Sequence, residues 1–135
     1  MNNLKIFVYG TLKPGESNYQ RLCVGKVVVE QRAIAYGLLF DLPLGYPGMT
    51  VGKKPIQGFV LTFADAAILS VLDDLEDYDP NRPETENEYN RQLMETFDLS
   101  GQSLGQVWVY LMSFERVKHL RGVLQPSGCW SGNVL

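Results

Sequence analysis

The chain has 135 residues, the usual size of one folding domain, so we expect a single domain over residues 1–135. Hydrophobic residues make up 45% and charged residues 20%, which is typical of a globular protein. The formal net charge is -3 and no basic stripe is present, which argues against a nucleic-acid partner. No apolar run reaches the ~20 residues of a membrane helix, and residues 1–5 lack a signal-peptide layout. We therefore expect a cytoplasmic protein that does not bind membranes.

Strand-like segments dominate the chain. In chain order they cover residues 6–9, 27–29, 33–40, 56–63, 89–97 and 106–112. Gly and Pro mark residues 41–48 as a loop, and the tail from 125 to 135 is rich in Gly, Ser and Pro. One clear helix is predicted over 66–77 and a short one near 16–23. This pattern predicts an α+β fold, a curved sheet or small barrel with helices at its rim.

The helix predicted over 66–77 begins after Asp65, a residue type that caps helix N-termini. At roughly 100° per residue its apolar side chains share one arc, while most of its polar side chains face solvent. The arc contains Ile68, Leu69, Val71, Leu72 and Leu75, and the solvent face contains Ser70, Asp73, Asp74 and Asp77. Glu76 is the exception, because its spacing from Leu69 and Leu72 places it inside the apolar arc.

A carboxylate placed in this way is expected to have a raised pKa. Burial disfavours its charged form, and the dipole at the helix C-terminus acts in the same direction. Glu76 would then be suited to general acid–base chemistry near neutral pH. The alternative is a Glu at the edge of the arc that reaches water or pairs with Arg91.

The first strand ends in a turn formed by Tyr9, Gly10, Thr11 and Leu12. A Gly at this point lets the chain turn sharply, and successive backbone N–H groups could then hold a carboxylate or an oxyanion. Thr11 adds a hydroxyl and Tyr9 an aromatic wall with a polar tip. An ordinary strand-ending turn is the alternative interpretation.

No pattern in the chain supports a metal, a nucleotide or another cofactor. Walker A, GxGxxG and GxSxG motifs are absent. Cys23 and Cys129 form no CxxC pair, and we expect reduced core residues, with one disulfide between them as the alternative. His119 has no metal-ligand spacing to either cysteine, so we expect it on the surface or on a helix.

Two motifs in this order resemble the gamma-glutamylcyclotransferase-like proteins, and among them the gamma-glutamylamine cyclotransferase-like subgroup. The first is VYGTLKPG at 8–15, and the second is LDDLEDY at 72–78 followed by Tyr89 and Arg91. Shorter strings also follow the family's order: GYPG at 45–48, Gly58 before a strand, WVY at 108–110 and GCW at 128–130. The likeness spans nearly the whole chain.

The resemblance implies a small mixed β-barrel flanked by helices, with a cavity at one end. Residues Tyr9 to Leu12 would bind a small-molecule gamma-glutamyl substrate, and Glu76 would be the catalytic acid/base. The reaction would cyclise the gamma-glutamyl group of a small amine or peptide to 5-oxoproline and release the amine, with no cofactor. The positions expected around the site are Tyr46, Tyr89, Arg91 and Tyr110.

The chain departs from the family pattern after Glu76, where Asp77 replaces a Gly that is common there. The acidic segment from Asp77 to Glu88 is long, and we interpret it as either a solvated loop or a lid over the cavity. The competing function is a non-catalytic small-molecule-binding or regulatory module on the same fold. The sequence leaves the leaving amine and the oligomeric state open.

Overall fold

Six strands form one sheet that closes on itself. The computed structural model describes residues 3–132. Its strands are β1 (Leu4–Val8), β2 (Val27–Asp41), β3 (Pro47–Phe63), β4 (Asn90–Phe97), β5 (Ser103–Leu111) and β6 (Val123–Leu124). Its α-helices are α1 (Ser17–Leu22), α2 (Ile68–Leu75) and α3 (Phe114–His119), and a 3₁₀ turn covers Glu84–Glu86.

The order of the strands closes a barrel. Neighbours follow the order β3-β1-β5-β4-β2-β6, and β2 pairs again with β3, so five strands complete a ring. Strands β1 and β5 are parallel, with Ile6 opposite Trp108, and the other pairs are antiparallel. The predicted α+β fold, a small mixed barrel flanked by helices, is confirmed.

Strand β1 is buried on both faces from Ile6 to Val8, which explains the apolar run at these positions, whereas Lys5 is exposed. Ile6 and Val8 pack in the cluster that contains helix α2, whereas Phe7 packs in a second cluster with Val107 and Val109 of β5. Because side chains alternate along a strand, the short apolar run of β1 packs into two separate hydrophobic clusters. Its end is therefore held firmly at the point where the chain turns into residues 9–12.

Two predicted boundaries are wrong in the β2–β3 hairpin. The segments predicted at 27–29 and 33–40 are one strand, because residues 30–32, although polar and exposed, still pair with β3. Strand β3 begins at Pro47, opposite Asp41, so it starts nine residues before the strand predicted at 56–63 and includes the end of the predicted loop. In both places the partner strand supplies ladder hydrogen bonds that local composition does not reveal.

Helix α2 is shorter than predicted, covering Ile68–Leu75. The Asp65 carboxylate accepts a hydrogen bond from the Ala67 N–H at 2.9 Å, so it caps the turn that precedes the helix. Ile68 and Leu72 are buried as predicted, but Val71 is 41% exposed and does not belong to the apolar arc. Glu76 is the C-cap residue, and its N–H donates to the Leu72 carbonyl at 2.9 Å.

The acidic segment after α2 is an ordered loop centred on Asn87, which is buried. Its Oδ1 accepts from the Asp79 N–H at 3.1 Å and from Arg82 Nε at 2.8 Å. Its Nδ2 donates to the Asp79 carbonyl and to Asn90 Oδ1. This network brings the end of the loop, Glu88, back toward the end of α2.

Remaining expectations are met in part. Both cysteines are free thiols, but only Cys23 lies in the core, and Cys129 is exposed, contrary to prediction. His119 is exposed at the end of α3, as expected.

No helix between residues 3 and 132 is long and apolar enough to span a membrane. The predicted tail extends past 132, and its last three residues lie outside the described part.

Asp77 occupies the left-handed backbone region, with φ of 54°, directly after the helix C-cap. Asp tolerates this region better than a β-branched residue does, and Gly adopts it freely. We expect Asp77→Val to lower the free energy of unfolding by about 1–2 kcal/mol and Asp77→Gly to change it by less than about 1 kcal/mol. Urea denaturation of the three proteins measures both. An equal loss of unfolding free energy in both variants would instead show that the destabilisation comes from losing the exposed ion pair between Asp77 and Arg82.

Candidate active site

A pocket of about 270 Å³ lies where β1, α2 and the segment before β4 meet. Both sequence motifs contribute to its wall, which is otherwise mostly aromatic and aliphatic. The wall comprises Phe7, Val8, Tyr9, Gly10, Thr11, Leu12, Asn18, Tyr46, Pro47, Leu75, Glu76, Glu88, Tyr89 and Tyr110. Every predicted site residue except Arg91 therefore lines one pocket.

The turn after β1 is shaped by close contact with Pro47. A Cβ on Gly10 would lie 2.7 Å from Pro47 Cγ, so only Gly fits here. The Gly10 carbonyl accepts from the Lys13 N–H at 3.0 Å, and the Thr11 carbonyl accepts from the first residues of α1. None of the loop and turn hydrogen bonds within residues 3–132 uses the N–H of Gly10, Thr11 or Leu12. Because residues 10–12 line the pocket, these N–H groups are candidate donors to a ligand there.

The Thr11 hydroxyl is held in place by α1. Asn18 Nδ2 donates to Thr11 Oγ1 at 2.8 Å, and Arg21 Nη2 donates to Asn18 Oδ1 at 3.0 Å. Asn18 was missed by sequence reasoning, because a polar residue in the first turn of a short helix carries no signal of its own. The fold alone brings it beside Thr11.

Glu76 projects its carboxylate into the pocket. Burial raises its pKa to about 8, and the negative charge of Glu88 contributes in the same direction. No side chain or N–H within residues 3–132 donates a hydrogen bond to this carboxylate, and its oxygens retain access to the pocket. A carboxyl group with this pKa can exchange a proton at neutral pH.

Glu88 is a second carboxylate in the same pocket. It accepts a hydrogen bond of 2.6 Å from the Tyr46 hydroxyl. The Tyr46 and Tyr89 rings lie 6.5 Å apart, and the Tyr89 hydroxyl donates to the Pro47 carbonyl at 2.6 Å. Sequence reasoning placed Glu88 only at the end of an acidic loop. The hydrogen bonds of Asn87 turn that loop inward, so its position was not predictable from local pattern.

A hydrogen-bond chain supports the pocket floor. The Tyr9 hydroxyl donates to the Tyr110 carbonyl at 2.7 Å and accepts from the Met49 N–H at 3.2 Å. The Tyr110 hydroxyl donates to Asp73 Oδ1 at 2.7 Å. Burial raises the pKa of both phenols, so both remain protonated donors at neutral pH.

Asp73 and Arg91 form a largely buried ion pair behind the pocket. Arg91 Nε lies 2.9 Å from Asp73 Oδ1 and Nη2 lies 3.2 Å from Oδ2, a bidentate geometry. The guanidinium also stacks over the rings of Trp108 at 4.3 Å and Tyr78 at 5.0 Å. The prediction that Asp73 faces solvent is wrong. The partner of Arg91 is this residue, one turn before Glu76, and not Glu76 itself.

No group of three or more His, Cys, Asp or Glu side chains within residues 3–132 is arranged to hold a metal ion. Glu76 and Glu88 are the two acidic residues in the pocket wall, and no histidine or cysteine accompanies them. The chemistry available at the wall is therefore proton transfer, backbone donation and aromatic contact.

Comparison with known proteins identifies the family. Residues 6–132 match the family model described as gamma-glutamyl cyclotransferase, AIG2-like. A Vibrio cholerae protein, whose curated name provisionally assigns it gamma-glutamylcyclotransferase activity, is 31% identical over 129 residues, 96% of each chain. The chain belongs to the AIG2-like gamma-glutamyl cyclotransferase family, and the resemblance seen in its motifs is confirmed.

Two further relatives are longer than this chain. The gamma-L-glutamyl-butirosin B gamma-glutamyl cyclotransferase of Niallia circulans is 31% identical over 106 residues, which are 78% of this chain and 65% of the relative. The crystal structure of YkqA from Bacillus subtilis superposes with a TM-score of 0.68 at 23% identity, over 96% of this chain and 40% of that one. The structural match establishes the shared fold.

Replacing Arg91 should destabilise the protein, because it removes the counter-ion of the buried Asp73 carboxylate. We expect Arg91→Ala to lower the free energy of unfolding by about 3 kcal/mol. The control is Arg32→Ala, which removes an exposed Arg over the Phe59 ring and should cost less than about 1 kcal/mol. Chemical denaturation measures both, and similar small losses would mean that the Asp73–Arg91 pair contributes little.

Glu76 should make stability depend on pH, because its pKa rises from 4.5 to about 8 on folding. Between these values the folded state binds more protons than the unfolded state, so wild-type stability falls as pH rises. Glu76→Gln removes this penalty. Its free energy of unfolding relative to wild type should increase by about 4 kcal/mol between pH 4.5 and pH 8.5. A difference that stays constant across this range in denaturant titrations would show that the Glu76 pKa is ordinary.

Proposed function

We propose that the protein is a gamma-glutamylcyclotransferase in which Glu76 is the general acid/base and residues 9–12 bind the substrate. One observation carries this proposal. Glu76 has a raised pKa, and within residues 3–132 its carboxylate accepts no hydrogen bond. It shares a pocket with Gly10, Thr11 and Leu12, whose backbone N–H groups make no loop or turn hydrogen bond in the same part of the chain. Family membership supports the reaction class.

Substrate binding would depend on the turn after β1. Its N–H groups are suited to hold either the α-carboxylate of the gamma-glutamyl group or the oxyanion that forms at its γ-carbon. The Tyr9, Tyr89 and Tyr110 side chains form pocket wall around the methylene chain. Holding this flexible chain in a folded conformation brings the α-amino nitrogen close to the γ-carbonyl carbon, which lowers the entropic part of the barrier.

Proton transfer would be the task of Glu76. Its pKa of about 8 is closer to that of an α-amino group than an ordinary carboxylate would be. Ionised Glu76 takes one proton from the α-ammonium group, and the neutral nitrogen attacks the γ-carbonyl carbon. Glu76 delivers that proton to the leaving nitrogen as the original γ-amide C–N bond breaks. It then takes the second proton from the ring nitrogen and passes it to the released amine, which departs as an ammonium ion. One C–N bond forms and one breaks, and the products are 5-oxoproline and the free amine.

Arg91 would act as a positioning residue. It does not line the pocket, but its ion pair with Asp73 ties α2 to strands β4 and β5 one turn before Glu76. Tyr110 joins the same arrangement through its hydroxyl. The direction of the Glu76 side chain then depends on a fixed helix rather than on a mobile loop.

The test is release of 5-oxoproline from gamma-glutamyl dipeptides, gamma-glutamyl amines and glutathione by wild type and Glu76→Gln. We expect wild type to act on at least one compound and the Gln variant to lose at least 1,000-fold in kcat, because Gln keeps the shape but cannot accept the proton.

Ligand-induced thermal stabilisation of Glu76→Gln provides the control for folding and binding. A Gln variant that binds its ligand yet does not turn it over supports the assignment of Glu76. Equal turnover by both proteins would remove Glu76 from the role. Binding by wild type without turnover of any compound would favour a non-catalytic binding module on this fold.

A further inference from the structure

A second pocket, of about 290 Å³, begins at the point in the chain where the wall of the first one ends. Residues 10–12 line the first pocket, and the next two residues, Lys13 and Pro14, line the second. Strands β2 and β3 and the tail at 129–131 also contribute to its wall. The two pockets share no lining residue, and the reaction proposed above uses no group of the second one.

Lys13 is the only Lys or Arg among residues 3–132 that is buried, with 8% of its surface exposed. Its Nζ donates a hydrogen bond to the Trp130 carbonyl, a single acceptor for an ammonium group that has three N–H donors. Within the same part of the chain it makes no ion pair. A buried ammonium group without a counter-ion is costly in free energy, so an anion bound in the second pocket would stabilise this arrangement.

The other charged residues of this wall leave it positively charged. The Arg32 guanidinium lies over the Phe59 ring, 5.6 Å from its centroid, and makes no ion pair within residues 3–132. Glu16 is the one acidic residue among the described residues of the wall, and its Oε1 accepts from the Gly132 N–H at 3.2 Å. Two cations, Lys13 and Arg32, against one carboxylate leave one positive charge. The second pocket is therefore suited to a ligand with a single negative charge.

The residue types of the wall favour an organic carboxylate. A guanidinium that stacks through its face keeps the N–H groups at its edge available, and that edge matches both oxygens of a carboxylate. Pro14 and Trp130 supply apolar surface to the same wall. Small-molecule pockets begin at about 300 Å³, so this pocket has room for one ring together with its carboxylate.

We propose that the second pocket is a binding site for a small monocarboxylate that carries an apolar ring. The carboxylate pairs with Lys13 and Arg32, and the ring lies against Pro14 and Trp130. This site does not depend on the reaction proposed above, because none of its residues takes part in that reaction.

Amide NMR titrations of wild type at neutral pH test this binding. The probes are benzoate, phenylacetate and cyclohexanecarboxylate, and phenylacetamide is the neutral counterpart of phenylacetate. We expect at least one carboxylate to shift the amide signals of Arg32, Gln57 and Phe59 with a Kd of about 1 mM or lower. Phenylacetamide should bind at least tenfold more weakly than phenylacetate. The amide signals of Tyr46 and Glu88 report separately on the first pocket.

Two variants assign the binding to the cations of the wall. Arg32→Gln removes an exposed guanidinium and should raise the Kd of the bound carboxylate at least fivefold. Lys13→Met removes the buried charge, keeps an unbranched side chain and should abolish the shifts at the second pocket. The matched control is Lys53→Gln, an exposed lysine of β3 outside this pocket, which should keep the wild-type Kd. If Lys13→Met does not fold, Arg32→Gln still decides, because its side chain is exposed.

The outcomes are independent of turnover. No shift at the second pocket with any of the three carboxylates at about 10 mM, or shifts confined to the first pocket, would overturn the proposal. Equal affinity for phenylacetate and phenylacetamide would overturn the requirement for an anion. An unchanged Kd in Arg32→Gln would overturn the pairing with that residue. The gamma-glutamylcyclotransferase reaction would stand or fall separately, on the release of 5-oxoproline.

Discussion

The site depends on one electrostatic constraint, a carboxyl group held in a pocket without a hydrogen-bond donor or counter-ion among residues 3–132. Glu76 stands at the end of α2, buried enough that its pKa rises to about 8, and it shares the pocket with a second carboxylate. Such an arrangement disfavours the charged form and so costs folding stability at neutral pH. The same feature makes a side chain that is ordinarily an acid into a group able to accept and return a proton. The burial that raises the Glu76 pKa thus lowers folding stability, and the same raised pKa favours proton exchange.

The rest of the fold keeps Glu76 in the position where its pKa is raised. If α2 could rotate or fray, the carboxylate would reach water and its pKa would relax. Asp73 prevents this, since its bidentate pair with Arg91 and its hydrogen bond from Tyr110 attach the helix to two barrel strands. The Arg91 guanidinium is itself fixed between the rings of Trp108 and Tyr78. The Asp73–Arg91 ion pair behind the pocket therefore fixes the orientation of Glu76 inside it.

The barrel supplies the complementary half of the site. The end of β1, from Ile6 to Val8, is buried on both faces, so the turn that follows it has little freedom, and contact with Pro47 restricts position 10 to Gly. The Gly10 and Thr11 carbonyls accept hydrogen bonds from Lys13 and the start of α1, whereas the N–H groups of residues 10–12 make no loop or turn hydrogen bond within residues 3–132. The turn and Glu76 line one pocket, whose wall also contains Tyr46, Tyr89 and Tyr110. The acidic loop adds Glu88, which gives the pocket a negative charge of its own.

The sequence by itself determined the fold class, because strand-like segments and a helical apolar arc are local patterns. Its two motifs, at 8–15 and 72–78, carried the resemblance to the family and marked the two segments that meet in the pocket. It also singled out Glu76, since a single acidic residue inside an apolar arc stands out at 100° per residue. Only the tertiary structure decided which charges are paired. Asp73 lies on the polar side of its helix by periodicity, yet the neighbouring strands cover it and bring Arg91 to it. Asn18 lies in a helix of six residues and Glu88 in an irregular loop, and both segments are too short or too irregular for a periodic pattern. The turn after β1 brings Thr11 to Asn18, and Glu88 meets Tyr46, 42 residues away in the chain, so no local pattern records either contact.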